Sequence, residues 1–176
     1  DMDGTLTPPR KKIEREVITK LKELSQHADI GIVTGSGYDY LFQQCRDIWF
    51  DIGSVRPTLI TLFPCNGTQV YKWGGKKFES TYSASMAKFL GETNFDILMR
   101  ALVHAQFQYV VKDPEHPLTG HFISCRGSLV NWCPVGRNAN DSQRKMFVDY
   151  DQKTGVRESM KSMIEKYLFV NEIENV

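Results

Sequence analysis

Apolar residues recur at helical spacing early in the chain: Ile13, Val17, Leu21 and Leu24 alternate with Lys, Glu and Arg, which predicts an amphipathic helix of about four turns. A short apolar run, Ile30-Gly31-Ile32-Val33, ends in Thr34-Gly35-Ser36-Gly37 and reads as a buried strand feeding a tight turn. A second helix carries Tyr38, Leu41, Phe42, Cys45 and Trp49 as its stripe. Thr58 to Phe63 form a further β-branched run, and Gln69 to Trp73 and Lys76 to Glu79 flank Gly74-Gly75 as a hairpin. Strand, helix, strand, turn, helix is the grammar of an α/β fold with a parallel sheet, in which ligands gather beyond the carboxyl ends of the strands.

From about Ser80 the pattern changes. A helical run through Phe89, Leu90, Phe95, Leu98, Met99 and Leu102 leads into Phe107 to Val111, then a polar loop holding Asp113, Pro114 and Pro117. A hairpin and two helices, near residues 141 to 150 and 155 to 169, complete the chain. Without a fresh parallel crossover this half reads as a separate α+β domain. The expected division is 1–76 for the α/β core and 77–176 for the α+β domain. If Gly127-Ser128 is a two-residue turn, Ile123 pairs with Trp132, Ser124 with Asn131, Cys125 with Val130 and Arg126 with Leu129. Ile123, Cys125, Val130 and Trp132 then share an apolar face, and Ser124, Arg126 and Asn131 the other.

Composition narrows the class of protein. A chain of 176 residues with 41% hydrophobic content buries a real core, and a net charge of +1 gives no electrostatic case for nucleic acid or an anionic membrane. No apolar run reaches the length of about eighteen residues that a spanning helix needs, and no signal-peptide pattern is present. Cys45, Cys65, Cys125 and Cys133 lack metal-site spacing and fit reduced thiols in the cytoplasm.

Chemistry concentrates at Asp1-Met2-Asp3-Gly4-Thr5-Leu6-Thr7. Two carboxylates one residue apart make a poor buried strand, because two unpaired charges would leave water together. With Met2 turned the other way and the backbone bending at Gly4, Asp1 and Asp3 face one pocket, where both can hold Mg2+ through hard oxygens. One carboxylate attacks phosphorus while its neighbour carries the proton, and Thr5 and Thr7 offer hydroxyls. An acidic surface turn is the plain alternative. The glycine-bearing turn Thr34-Gly35-Ser36, opening a helix, suits a phosphate, although an ordinary strand-to-helix loop has the same form. In the second half, Pro134 and Gly136 deliver Arg137, and Asn140 or Asp141 caps a helix with Arg144 in its first turn. A cation there opposes the helix dipole by about 0.3 to 1 kcal/mol. Bidentate forks from Arg126, Arg137 and Arg144 would grip a phosphate, whereas each taken singly reads as a solvated arginine.

The first seven residues resemble the DxDGT signature of haloacid-dehalogenase-type phosphotransferases. With Pro8-Pro9-Arg10, and with Arg-x-x-x-x-Asn-x-x-Pro-x-Gly-Arg from Arg126 to Arg137 followed by Arg144, the chain resembles eukaryotic phosphomannomutases. The resemblance implies a Rossmann-like core, incomplete here, with an inserted α+β cap of C2 type. It implies interconversion of mannose 6-phosphate and mannose 1-phosphate through a hexose 1,6-bisphosphate that also acts as activator. Asp1 would be phosphorylated, Asp3 would be the general acid and base, and both would bind Mg2+. Thr34 or Ser36, with Gly35, would meet the transferring phosphoryl group. Arg10 would lie near the cleft, and Arg126, Asn131, Arg137 and Arg144 would hold the distal phosphate. The same resemblance implies a cytoplasmic homodimer joined through the cap, working on hexose phosphates for GDP-mannose biosynthesis. Asn66-Gly67-Thr68 match the family while Cys65 departs from its glutamate, and Asn66 reads as structural or peripheral, not catalytic. Family members continue with further cap ligands, a core lysine and an acidic metal motif that this chain does not show. The expectation is therefore a fragment, weakly active or inactive by itself. The other readings are a phosphatase on the same scaffold and a non-catalytic binding module that keeps the cap surface.

Overall fold

The computed structural model describes residues 1–8, 11–50, 55–112 and 115–173. The chain forms two compact units, Asp1–Ala84 and Ser85–Val176.

The first unit is an α/β layer. Strands β1 (Ile30–Val33), β2 (Ile60–Phe63), β3 (Gln69–Trp73) and β4 (Phe78–Ser83) lie in the order β1-β2-β3-β4. β1 and β2 are parallel, from Ile30↔Ile60 to Val33↔Phe63, with a helical crossover between them, while β3 and β4 continue antiparallel. The Rossmann-like expectation thus holds at β1 and β2 and gives way to a meander beyond. Burial along β1 alternates: Ile30 and Ile32 are buried, Gly31 and Val33 exposed. The strand is covered on one face, where Leu41, Cys45, Ile48 and Trp49 complete the core.

Helix α1 (Arg15–Leu24) starts after Glu14, so Ile13 precedes it and Ile18 and Leu21 carry the buried stripe. Leu24, expected on that stripe, is half exposed. The single helix expected through Trp49 is two, α2 (Tyr38–Cys45) and α3 (Asp47–Phe50). The break lets the Trp49 ring meet Phe78 edge-on at 4.9 Å between centroids. Pairing of β3 with β4 begins at Trp73↔Phe78, so Gly74 to Lys77 form the loop and β4 runs on to Ser83. The first compact unit runs through Ala84, and β4 is held by the sheet it completes.

The second unit comprises α4 (Met86–Leu90), α5 (Glu92–Lys112), the hairpin β5 (Ile123–Cys125) and β6 (Val130–Trp132), α6 (Asp141–Thr154) and α7 (Val156–Val170). Phe107 to Val111 are the last turns of α5, a helix of 21 residues that packs along α7. The hairpin has the expected register, Ile123↔Trp132, Ser124↔Asn131 and Cys125↔Val130. Ile123, Val130 and Trp132 pack against the Leu98, Leu102 and Leu168 cluster, whereas Cys125, at the turn end of the same face, is exposed.

Candidate active site

The acidic loop folds back on one carbonyl. Met2 O accepts the amides of Thr5 at 3.2 Å, Leu6 at 3.0 Å and Thr7 at 3.0 Å, and Gly4, at φ +78°, returns a bond to Thr7 O at 2.7 Å. Met2 is 0% exposed and sits in the core. Its neighbours are therefore turned outward: Asp1 is exposed and Asp3 partly so. Asp1 Oδ1 accepts the Met2 amide at 2.7 Å, which orients the carboxylate. The alternation expected from the spacing is present, although a tight loop rather than a strand end creates it.

Thr5 is exposed. Thr7 is not the outward hydroxyl expected of it: it is 2% exposed and donates to Gln44 Oε1 at 3.2 Å, on α2. The hydroxyl points inward because Thr7 N closes the loop on Met2 O and carries the side chain beneath it.

The thiol of Cys45, next along α2, is pushed up to about 12, first by burial and then by the negative charge of Asp3. Both causes favour the neutral form, so the folded chain keeps a proton that an unfolded thiol loses near pH 9. This contribution to stability is complete below pH 9 and is lost as pH rises toward 12. At pH 8 iodoacetamide is expected to label exposed Cys125 at least about a hundredfold faster than Cys45 in the folded chain, and comparably in urea, as peptide mapping by mass spectrometry would read. Equal labelling in the folded chain would contradict this environment for Cys45.

At the end of β1, Thr34 is 2% exposed and its Oγ1 accepts the Ser36 amide at 3.1 Å, while Ser36 is partly exposed. The turn is clasped from below: Asn66 N donates to Thr34 O at 2.8 Å and Cys65 N to Ser36 O at 2.9 Å. Cys65 and Asn66 adopt left-handed backbone, φ +52° and +58°, an uncommon conformation for two consecutive non-glycine residues. A Cβ at Gly35 would lie 3.1 Å from Asn66 Oδ1, so glycine lets the amide rest on the turn. Asn66 thus has a structural place against the turn, one of the two its sequence reading allowed. Gly37 caps α2 without a side-chain acceptor, and the positive end of the helix dipole there favours an anion.

Asp1 and Asp3 offer two hard carboxylates, the donor type and number that Mg2+ takes from proteins alongside water and phosphate oxygens. Among the described residues no group of three or more His, Cys, Asp or Glu is arranged to hold a metal ion. Arg10 lies outside the described residues.

In the second unit, Arg126 N bonds Leu129 O at 2.8 Å across the hairpin turn, and Asn131 lies opposite Ser124. Arg137 is exposed. Asn140 caps α6 reciprocally with Gln143. Arg144 Nε donates to Ala139 O at 2.9 Å and Nη2 to Arg137 O at 3.0 Å. These carbonyls offset the unfavourable place of a cation at a helix start, and the guanidinium shapes the loop that presents Arg137. Sequence reading missed Gln44 and this use of Arg144. A glutamine flanked by buried Leu41 and Cys45 was the available signal for the first.

A sequence profile described as eukaryotic phosphomannomutase matches residues 16–173. A phosphomannomutase of Oryza sativa subsp. indica is 30% identical over 173 residues, and one of Glycine max is 32% identical over 174. Each alignment covers 97% of this chain and 64% of the relative, so the chain spans just under two thirds of their length. A solved structure of N-terminally truncated, IMP-bound Plasmodium falciparum IMP-nucleotidase shares the fold, with TM-score 0.54 and 14% identity over 97% of this chain and 45% of that one. Since the profile matches residues 16–173 and so runs through both units, the chain belongs to the eukaryotic phosphomannomutase family.

Proposed function

We propose that this chain carries the nucleophile loop and arginine-bearing cap of a mutase that interconverts mannose 6-phosphate and mannose 1-phosphate. The observation that carries the reading is the acidic loop, in which burial of Met2 turns Asp1 and Asp3 outward in a chain of this family.

A carboxylate oxygen of Asp1 attacks a phosphorus of hexose 1,6-bisphosphate. The phosphorus–sugar oxygen bond breaks, and Asp3 gives its proton to the departing sugar oxygen. Asp3 then takes a proton from the other hydroxyl of a bound hexose monophosphate, which attacks the aspartyl-phosphate, releases Asp1 and restores a bisphosphate. Ser36, with the Gly35 and first-turn α2 amides, meets the transferring group; Thr34, buried and accepting the Ser36 amide, shapes the turn. Mg2+ held by Asp1 and Asp3 would neutralise charge on the phosphoryl oxygens. Arg126, Arg137 and Arg144 hold the distal phosphate, with Asn131 on the same hairpin as Arg126.

The test is conversion of mannose 1-phosphate with catalytic glucose 1,6-bisphosphate and Mg2+, using the 176-residue chain and the longest form of the protein that contains it. Bisphosphate-dependent mannose 6-phosphate is the expected product. Free phosphate without isomerisation would replace the mutase with a phosphatase, and no turnover by either form would leave a binding module.

Homodimerisation through the second unit is supported by Val103, Phe107 and Val111, spaced by four along α5 and 57%, 60% and 59% exposed. Phe107→Asp is expected to shift sedimentation from dimer to monomer with the fold retained. An unchanged dimer would move the interface elsewhere.

A further inference from the structure

Gln44 is 4% exposed, and three of its groups meet different fates. Its backbone carbonyl accepts the Ile13 amide at 3.1 Å, and its Oε1 accepts the Thr7 hydroxyl at 3.2 Å. Its Nε2 is buried without a hydrogen-bond partner among the described residues. A methionine of similar length would fill this volume without stranding a donor, so packing by itself does not favour the amide. The connection to Thr7 does. Thr7 closes the acidic loop by taking Met2 O with its amide and Gly4 N with its carbonyl, and its hydroxyl, 3.5 Å from Met2 O within the loop, makes its shorter bond at 3.2 Å to Gln44 Oε1 on α2. The same helix begins at the Thr34–Gly37 turn, about 12 Å away for eight residues.

We propose that Gln44 is a positioning residue that, through the Thr7 hydroxyl, fixes the carboxylates of Asp1 and Asp3 relative to the Ser36 turn at the other end of α2. The inference deepens the mutase reading and rests on it for its kinetic consequence. The tether itself is a property of the folded chain.

The experiment compares Gln44→Met, Thr7→Val, the double variant and Thr7→Ser in the 176-residue chain by amide hydrogen exchange and thermal unfolding. Each single variant, and the double to the same extent, is expected to speed exchange at Gly4 to Thr7 about tenfold while the protection of β1 to β4 holds; Thr7→Ser, which keeps the hydroxyl, stays near the parent. Thr7→Val removes a hydroxyl without volume and keeps the test open should Gln44→Met not fold. In the longest form the same variants should lower kcat about tenfold at unchanged KM for mannose 1-phosphate. Unchanged loop exchange in the single variants, or effects that add in the double, would overturn the tether even where the parent is an active mutase. The expected exchange pattern in a parent without turnover would retain the tether and remove the mutase.

Discussion

Asp1→Asn is expected to abolish bisphosphate-dependent phosphoryl transfer, by about a thousandfold or more in kcat, while thermal stability moves by no more than a surface substitution does, within about 0.5 kcal/mol. The two halves of that expectation come from the same geometry. Asp1 is exposed, and its Oδ1 accepts the adjacent Met2 amide, an acceptor that asparagine retains. The loop is held by Met2 in the core and by the amides that converge on Met2 O, none of which the substitution touches. What is lost is a charged oxygen nucleophile, since a carboxamide does not form an acyl phosphate. Incubation with labelled glucose 1,6-bisphosphate should leave hydroxylamine-labile label on the parent and none on the variant. Label retained by Asp1→Asn would place the nucleophile elsewhere and remove the main support for the mutase.

The second large effect is structural and lies in the other unit. Gly136→Ala is expected to destabilise Ser85–Val176 by about 3 kcal/mol or more, the sum of left-handed backbone strain and forced overpacking. Gly136 has φ +91°, and a Cβ there would overlap Gly120 O while lying 2.6 Å from Thr119 Oγ1 and 2.8 Å from Gly120 N. Backbone atoms cannot swing aside as a side chain can. Thr119 is itself fixed, its amide and hydroxyl both donating to Val135 O at 3.0 and 2.8 Å. Hydrogen exchange should rise in β5, β6 and α6 while β1 to β4 stay protected. Loss of protection in the first unit instead would mean that the two units do not unfold independently. Because Arg137 follows Gly136 directly and Arg144 bonds its carbonyl, the same substitution should disturb both arginines.

Two of the four elements that frame the sites were legible before any coordinates. The β5–β6 register follows from a local rule, since a two-residue turn at Gly127-Ser128 fixes every pair beyond it and period-2 alternation chooses the face. The outward placement of Asp1 and Asp3 was expected from the same period, although the tight loop on Met2 O rather than a strand produces it. The stretch from Tyr38 to Trp49 was legible as helix but not as two helices, because contacts of Trp49 with Phe78, far along the chain, set the break. The extent of β4 was likewise set by its partner β3 rather than by its own composition.

By itself, then, the sequence determined the helical and strand periodicities, the acidic motif, the hairpin register and the family to which they belong. Only the tertiary structure decided that the Thr7 hydroxyl turns inward to Gln44, that Asn66 packs on the Thr34–Gly37 turn, and that Arg144 holds the carbonyls of Arg137 and Ala139. The physical reason is the range of the interactions. Periodicity and turn chemistry act between residues a few positions apart, whereas a buried hydroxyl or amide takes its partner from whatever the fold brings within about 3 Å.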